Sequence, residues 1–248
     1  MEEEQLTKIA LYGKVKFVEG ENFVTIEDTK HLSDQEMLKL IDYLVDEPYI
    51  NHFQNVTILA SDKFNTEVST HLADCGFELH DENVTVQKRL VDELELDEPT
   101  FTLRNIKEIP LSMFKDIWGE SMSGSLNAPS LLSMDEQMRS VKKELGPSYE
   151  DSCIVAFENE NPIGVVMPHI EPGTTDEGRL FFFGLLPAQR GKGKSKSLHR
   201  QALGLLKDYF NAAYYIGSTG YKNVPMLKTF ESNGCTILEQ NKVYKRKK

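Results

Sequence analysis

The spacing of apolar residues along the second half of the chain predicts alternating strands and helices. Residues 179–186 read RLFFFGLL, an almost unbroken apolar run that predicts a central strand buried on both faces. Residues 195–210 place Leu198, Ala202, Leu205 and Tyr209 at the spacing of one helical face. Together these segments predict a buried strand followed directly by an amphipathic helix.

The remaining elements of this half follow from the same patterns and from turn residues. The predicted elements are a strand at 101–109, a helical zone at 111–145 broken by a loop at 123–130, two strands joined by a turn at 159–162, a strand at 213–219, a helix at 224–233 and a terminal hairpin at 235–246. The resulting order is β, helices, β, β, β, α, β, α, β, β. This order predicts an α/β fold.

The first ninety residues resemble the end of the chain. Residues 56–89 align without gaps with residues 214–247, and Asn65 then meets Asn223 while Gly76 meets Gly234. A shared pattern at a fixed offset indicates a diverged internal duplication. Chance is the alternative, because any strand, helix and hairpin have similar patterns.

The length and the charge distribution predict two domains. A chain of 248 residues is long enough for two, and the acidic stretch 91–99, which ends in proline, interrupts the strand patterns between domains at 1–90 and 100–248. Residues 1–100 contain 8 Lys and Arg against 23 Asp and Glu, whereas residues 101–248 contain 20 against 16. The acidic first half disfavours nucleic acid as a partner, because phosphate binding needs concentrated positive charge.

The N-terminal sequence and the cysteines disfavour several other classes of protein. The acidic N-terminus lacks the features of a secretory signal, and no apolar run approaches the ~20 residues of a membrane span. We therefore expect a cytoplasmic protein with no membrane partner. Cys75, Cys153 and Cys235 are far apart and lack a C-x-x-C or Cys/His cluster, so we expect neither a disulfide framework nor a metal site.

The stretch after the predicted central strand carries the most chemical information. A short loop with Gly191 and Gly193 leads into a helix whose first turn is basic. Glycines let successive N–H groups turn toward one point, and a helix N-terminus adds unpaired donors, so this loop predicts a seat for a pyrophosphate. A plain strand-to-helix turn is the alternative. The spacing differs from a P-loop and from G-x-G-x-x-G, since Lys196 occupies the third glycine position.

Two patterns in this half resemble motifs of the GCN5-related N-acetyltransferase (GNAT) family. In residues 185–195, Arg190 and Gly193 match the family's R/Q-x-x-G-x-G/A motif, and Ser195 takes the final small position. A second family pattern, N-x-x-A-x-x-L-Y-x-x-x-G-F, falls on Asn223, Met226, Thr229, Phe230, Gly234 and Cys235. The resemblance covers about residues 101–248.

The resemblance implies a GNAT fold, a mixed twisted sheet with flanking helices that splays between its fourth and fifth strands. It also implies acetyl-CoA, or another acyl-CoA, as co-substrate, with the pantetheine arm on the backbones of Leu185 and Leu186. The residues that it implies for cofactor binding are Leu185, Leu186, Gln189, Arg190, Gly191, Lys192, Gly193, Lys194, Ser195, Asn223 and Phe230. Residues 1–90 lack the glycine loop and would be a smaller, degenerate copy of the fold.

Two positions depart from the family pattern. Family members commonly have a tyrosine at the position of Phe230 to protonate the departing thiolate, and a catalytic glutamate of other members falls near Arg179. Candidates for the missing roles are Tyr221 as the acid, Glu171, Glu177 and His169 as the base, and a water held by Ser218 or Thr219.

The resemblance implies an acyl-CoA-dependent N-acetyltransferase that acts by direct transfer on a small-molecule or peptide amine. One alternative is a protein that binds acyl-CoA as a sensor without turnover, which the departures at Phe230 and Arg179 favour. A purely structural scaffold is a further alternative, which the intact glycine loop disfavours. The acceptor stays open, as does the choice between a monomer and a homodimer.

Overall fold

The computed structural model describes residues 2–20, 22–90, 100–127 and 132–247, which form two compact units. The first unit comprises Met1–Val84 with Glu239–Lys248, and the second comprises Thr85–Leu238. Each unit therefore includes one segment that the sequence-based division assigned to the other half of the chain. The predicted linker at 91–99 lies outside the described residues, so that boundary stays a prediction.

Helices and strands alternate along both units. The elements are α1 (Glu2–Tyr12), β1 (Lys16–Glu19), β2 (Phe23–Glu27), α2 (Asp34–Asp46), β3 (Asn55–Ser61), α3 (Thr66–Asp74), β4 (Glu78–Arg89), β5 (Thr102–Asn105), α4 (Leu111–Met122), α5 (Met134–Leu145), α6 (Tyr149–Ser152), β6 (Ile154–Glu158), β7 (Asn161–Ile170), β8 (Glu177–Leu185), α7 (Lys194–Asp208), β9 (Tyr214–Gly220), α8 (Val224–Ser232) and β10 (Thr236–Lys247).

The sheet of the first unit is mixed. Strands β1 and β2 pair antiparallel, β2 and β3 pair parallel, and β3 pairs antiparallel with β10, from Asn55 opposite Lys247 to Ser61 opposite Asn241. The last residues of the chain thus complete the sheet of its N-terminal unit.

The core of the first unit forms where α2 covers this sheet. Met37, Leu40, Ile41 and Leu44 lie at the i, i+3, i+4, i+7 spacing of one helical face, and all four are fully buried. Tyr244 of β10 belongs to the same buried cluster. Strand β10 therefore contributes both backbone pairing and core packing to this unit.

The sheet of the second unit has helices against both faces. Strands β5 to β8 pair antiparallel in sequence order. Val155 and Val165 pack in one core with α4 and α5, while Ala156 and Val166 pack in a second core with α7. Because alternate side chains point to opposite faces, a sheet covered on both sides requires the continuous apolar runs seen in the sequence.

Several predicted elements are confirmed. The helical zone is divided into α4 and α5, and β6 and β7 are joined at Asn159 and Glu160, which both have positive φ. The central strand β8 is only partly buried from Arg179 to Gly184, because it separates from its neighbour β9, as described below.

The predicted terminal hairpin is wrong. Residues 236–247 form the single strand β10, and residues 78–89 form the equally long strand β4. The boundary between the two compact units falls within each of these strands. No helix among the described residues is both long and apolar enough to cross a membrane.

Replacing Tyr244 with alanine should destabilise the first unit although the residue lies near the C-terminus. Loss of a buried aromatic side chain typically costs ~3–5 kcal/mol. Hydrogen–deuterium exchange should become faster in β3 and β2 and stay unchanged in β6 and β7. The matched change Leu79→Ala, at a residue 53% exposed, should leave both sheets unchanged. Equal protection of β3 in the wild type and Tyr244→Ala would contradict the role of β10.

Candidate active site

The glycine loop lies between β8 and α7. A short 3-10 turn at Pro187–Gln189 ends β8, and Gly191 and Gly193 follow with φ of 71° and 77°. These backbone angles are unfavourable for residues with a Cβ atom. A Cβ atom built on either glycine would have no heavy atom within 4 Å, so the space beside both residues is open.

The N-terminus of α7 presents unpaired backbone donors to this space. Gly193 is the N-cap and offers no capping side chain, and the first turn contains no acidic residue. In the part of the chain that the structure describes, no N–H group from Gly191 to Lys196 donates to a carbonyl outside the helix. Such N–H groups, together with the helix dipole, favour an anion at this position.

The corresponding position in the first unit, where β2 leads into α2, is closed. Ser33 caps α2, and Glu36 returns its carboxylate to the Ser33 N–H at 2.8 Å, which completes a capping box. Asp34 and Glu36 add negative charge to the first turn. The N-terminus of α2 therefore has its donors occupied and repels anions.

The side chain of Arg190 holds the loop in place. Its guanidinium donates to the carbonyls of Leu185 at 3.1 Å, Ser121 at 2.9 Å and Gly124 at 3.1 Å. Three hydrogen bonds from a charged group tie the loop to the end of α4. The side chain of Arg190 thus fixes the path of the loop backbone.

Other side chains of the loop are also engaged within the protein. The Lys194 ammonium donates to Glu158 at 2.5 Å and to Gln189 at 2.8 Å, and the Ser195 hydroxyl accepts from Thr229 at 3.0 Å. Lys192 is exposed. The backbone of the loop, with exposed lysine beside it, is the part available to a ligand.

A cleft opens between β8 and β9. In the described part of the chain these parallel strands pair only at Glu177 with Tyr214 and Gly178 with Tyr215. We call the space between residues 180–185 and residues 216–220 the cleft. The splay between the fourth and fifth strands that the resemblance implied is therefore present.

The cleft edge of β8 carries free backbone donors. The Leu186 N–H donates to Ile163 of β7 at 2.9 Å, so it is not available to a ligand. Neighbouring residues of a strand direct their N–H groups to opposite edges, which places the N–H groups of Leu185 and Phe183 on the cleft side. Of the two predicted pantetheine contacts, Leu185 is the one with a donor facing the cleft.

Asn223 lies where β9 leads into α8, and a residue that the sequence analysis missed holds it there. The Asn127 side-chain carbonyl accepts from Thr219 at 3.1 Å, from the Gly220 N–H at 3.2 Å and from Asn223 at 3.3 Å. Asn223 also caps α8 through the Met226 N–H. No sequence pattern pointed to Asn127, because its partners are about ninety residues away.

Phe230 lies in a buried aromatic and polar cluster. It is 2% exposed, and its ring centroid lies 5.4 Å from that of His199 and 6.3 Å from that of Tyr215. Burial lowers the pKa of His199 to about 3 and raises the pKa of Tyr215. Both side chains are therefore neutral at neutral pH.

The hydrogen bonds of this cluster define its proton positions. Asn233 donates to His199 Nδ1 at 3.0 Å, so Nδ1 is an acceptor and the neutral ring carries its proton on Nε2. The Nε2–H then donates to the Tyr215 hydroxyl at 3.4 Å. The proton of Tyr215 remains free to be donated elsewhere, and the hydroxyl lies over the backbone of Gly217 in β9.

The predicted bases Glu171 and Glu177 lie at the other end of β8 from the glycine loop. Arg179 pairs with Glu177 at 2.6 Å and with Glu171 at 3.2 Å, and Tyr214 donates to Glu177 at 3.1 Å. At ~3.3 Å per residue, β8 separates them from the loop by on the order of 25 Å. The predicted acid Tyr221 is 53% exposed. The structure therefore does not bring the predicted acid, Tyr221, close to the predicted bases, Glu171 and Glu177.

A cavity of about 440 Å³ lies beside this end of β8, lined by Glu144, Ser152, His169 and Tyr209 among others. His169 is 5% exposed, and neither of its ring nitrogens has a hydrogen-bond partner among the described residues. Its closest carboxylate oxygen, Glu171 Oε2, is 3.7 Å away. Burial lowers the pKa of His169 and raises that of Glu144.

The buried His199 should make the stability of the second unit sensitive to acid. Its pKa is about 3 in the folded chain and 6.5 in the unfolded chain, so the unfolded state binds more protons between these values. Stability present above pH 6.5 should therefore fall with decreasing pH, by up to ~1.4 kcal/mol per pH unit. The single tryptophan, Trp118, reports denaturant unfolding of this unit. His199→Gln should flatten the slope between pH 7 and 5; parallel curves would contradict this origin.

Comparison with known proteins identifies a family for much of this unit. The model of the "Acetyltransferase (GNAT) family" matches residues 112–235, which is half of the chain. A search of curated proteins finds no match.

Solved structures share the fold along nearly the whole chain. A GCN5-related N-acetyltransferase from Sphaerobacter thermophilus aligns with a TM-score of 0.63 at 10% identity, covering 94% of this chain and 76% of that one. A functionally unknown conserved protein from Staphylococcus epidermidis ATCC 12228 aligns with a TM-score of 0.60 at 12% identity, covering 99% of both chains. A tandem GNAT protein from the clavulanic acid biosynthesis pathway aligns with a TM-score of 0.57 at 8% identity, covering 94% and 78%.

At such low sequence identity, the TM-scores show a shared fold. The similarity to a tandem GNAT protein is consistent with a tandem arrangement in this chain. The predicted α/β fold with a mixed sheet and flanking helices is confirmed. Since the family model spans half of the sequence and its region contains the glycine loop and the cleft, the chain belongs to the GNAT acetyltransferase family.

Proposed function

We propose that the second unit binds acetyl-CoA and transfers its acetyl group directly to an amine. The observation that carries this proposal is the uncapped N-terminus of α7 at the end of a strand whose cleft edge has free N–H groups. A pyrophosphate and an extended chain of amides need these two kinds of donor at adjacent positions.

The residues of the site fit this co-substrate. Gly191 and Gly193 leave open space in front of the α7 N–H groups, which suits a pyrophosphate. The cleft-facing N–H groups of Phe183 and Leu185 suit the pantetheine arm, which would lie along β8 as an added strand does. Asn223 would lie beside the same arm at the β9 side.

When bound, acetyl-CoA supplies a thioester whose acetyl group passes to the amine nitrogen while the coenzyme A thiol departs. The N–H groups on the cleft edge of β8 would stabilise negative charge on the carbonyl oxygen. The amine must reach the cleft in its neutral form, with a base accepting one proton. The departing thiolate takes up one proton, so the reaction releases and consumes one proton each.

Tyr215 is the proton donor that the geometry favours. Phe230 has no proton to give, and the exposed Tyr221 lies outside the buried cluster. The Tyr215 hydroxyl accepts from His199 and keeps its own proton free, over a part of β9 that no longer pairs with β8. Burial raises the pKa of Tyr215, so its hydroxyl is protonated at neutral pH.

For the base we propose His169, which lies opposite Arg179 at the same end of β8 as Glu171 and Glu177. The two carboxylates are already engaged in ion pairs with Arg179. His169 has both ring nitrogens unpartnered, and burial keeps it neutral.

Binding of the co-substrate is tested by isothermal titration with acetyl-CoA. Wild-type protein should bind, and Gly193→Asp should lose binding at least tenfold, because a carboxylate would occupy the anion position. The matched control is Gly173→Asp: Gly173 also has a positive φ, of 88°, and open space, but it lies in the β7–β8 turn. If both variants lose acetyl-CoA affinity equally, backbone strain is the cause and the proposed anion site at Gly193 is contradicted.

Transfer is tested by thiol release from acetyl-CoA with a panel of amines. Tyr215→Phe should lower kcat by ~10² or more with little change in the KM for acetyl-CoA, since loss of a general acid typically costs ~10²–10⁴. The control Tyr221→Phe should keep wild-type kcat. The reverse pattern would assign the acid role to Tyr221.

A sensor that binds acyl-CoA without turnover is the second candidate. The observation that favours it is the full burial of Phe230 at the position where the family commonly carries its acid. This alternative expects acetyl-CoA binding in titration and no thiol release with any amine of the panel.

A further inference from the structure

The first unit contains a cluster of three potential metal ligands, Asp42, His71 and Cys75. His71 and Cys75 lie four residues apart at the end of α3, so they project from the same helical face. Asp42 lies on the packed neighbour α2. His71 Nε2 is 2.7 Å from Asp42 Oδ1 and 3.9 Å from Cys75 Sγ, and all three ligand atoms lie within 4.8 Å of one another.

We propose that Asp42, His71 and Cys75 bind a divalent transition-metal ion, with Zn²⁺ as the preferred ion. Imidazole, thiolate and carboxylate are the side chains that hold Zn²⁺, at ~2.0–2.3 Å from the ion. Ligand atoms at those distances from one tetrahedral centre are about 3–4 Å apart, close to the spacing found here. Water would complete the fourth position.

The charge around the cluster favours a cation. Burial raises the pKa of the Cys75 thiol, and the charges of Asp42, Asp74 and Asp46 raise it further, while Arg246 acts in the opposite direction. The cluster is also open to solvent, since the side chains of Asp42 and His71 are 58% and 31% exposed. An ion can therefore reach the site without opening of the core.

Binding requires balanced proton changes. The Cys75 S–H bond breaks and its proton passes to solvent, which leaves a thiolate as ligand. The His71 ring keeps one proton on Nδ1 and offers Nε2 to the metal, in place of its present contact with Asp42. No oxidant or reductant is needed.

The helices that carry the ligands are held independently of the cluster. Val68 and Leu72 anchor α3 in the core, Asn65 caps its N-terminus, and Gly76 ends it with a φ of 81°. Substitution of the ligands should therefore leave the fold intact. The bound ion would link α2 to α3 within the first unit.

The test is a titration of untagged, metal-free full-length protein with Co²⁺ and Zn²⁺. Wild type should bind one Co²⁺ per chain and develop the ultraviolet absorption of a thiolate–Co²⁺ bond. Cys75→Ser should abolish that band. His71→Gln should weaken Zn²⁺ binding by more than the ~10–100-fold that loss of a second-shell partner costs. Cys235→Ser, which changes a partly buried cysteine in the other unit, is the matched control and should behave as wild type.

Circular dichroism of each variant shows that the fold is retained. A wild type without saturable Co²⁺ binding overturns the proposal. It is also overturned if Cys75→Ser keeps the thiolate band, or if His71→Gln binds Zn²⁺ as the wild type does.

Discussion

The separation of β8 from β9 is the constraint on which the rest of the second unit depends. Backbone N–H and carbonyl groups inside a protein need hydrogen-bond partners, and a strand that leaves its neighbour exposes a row of them. Here the strands part after Gly178 and Tyr215, which leaves the N–H groups of Phe183 and Leu185 facing the cleft. At its other edge β8 pairs with β7, and its two faces pack against the two hydrophobic cores of the unit. These interactions hold β8 in place beside the cleft.

The other features of the site are positioned around this opening. The glycine loop follows from the end of β8 and brings the α7 N-terminus to the mouth of the cleft, and Arg190 fixes its path through three carbonyls. On the opposite wall, Asn127 holds Asn223 and Thr219. Donors for an anion and donors for an extended chain are thereby held on rigid elements, as pre-organised binding requires.

The two units illustrate how one arrangement of elements can support or prevent anion binding. In each, a strand leads into a helix and a parallel neighbour follows. The first unit fills the helix N-terminus with Ser33 and Glu36, whereas the second leaves it open behind Gly193. Because of this contrast we propose the activity for the second unit only, and the diverged duplication stays a prediction.

The sequence by itself determined the local structure and the chemistry of the loop. Helical spacing predicted α7, and loop-forming residues at 123–130 predicted the division between α4 and α5. The glycines at 191 and 193 predicted the open helix N-terminus. All of these are properties of neighbouring residues. The tertiary structure alone decided which strand completes each unit, and it showed that β10 runs straight where the sequence predicted a hairpin. Turn preference is local, whereas strand pairing depends on distant segments. The same reason explains why Asn127, the His199–Tyr215 pair and the Asp42–His71–Cys75 cluster could be recognised only in three dimensions: their partners come together through packing, and no spacing along the chain records it.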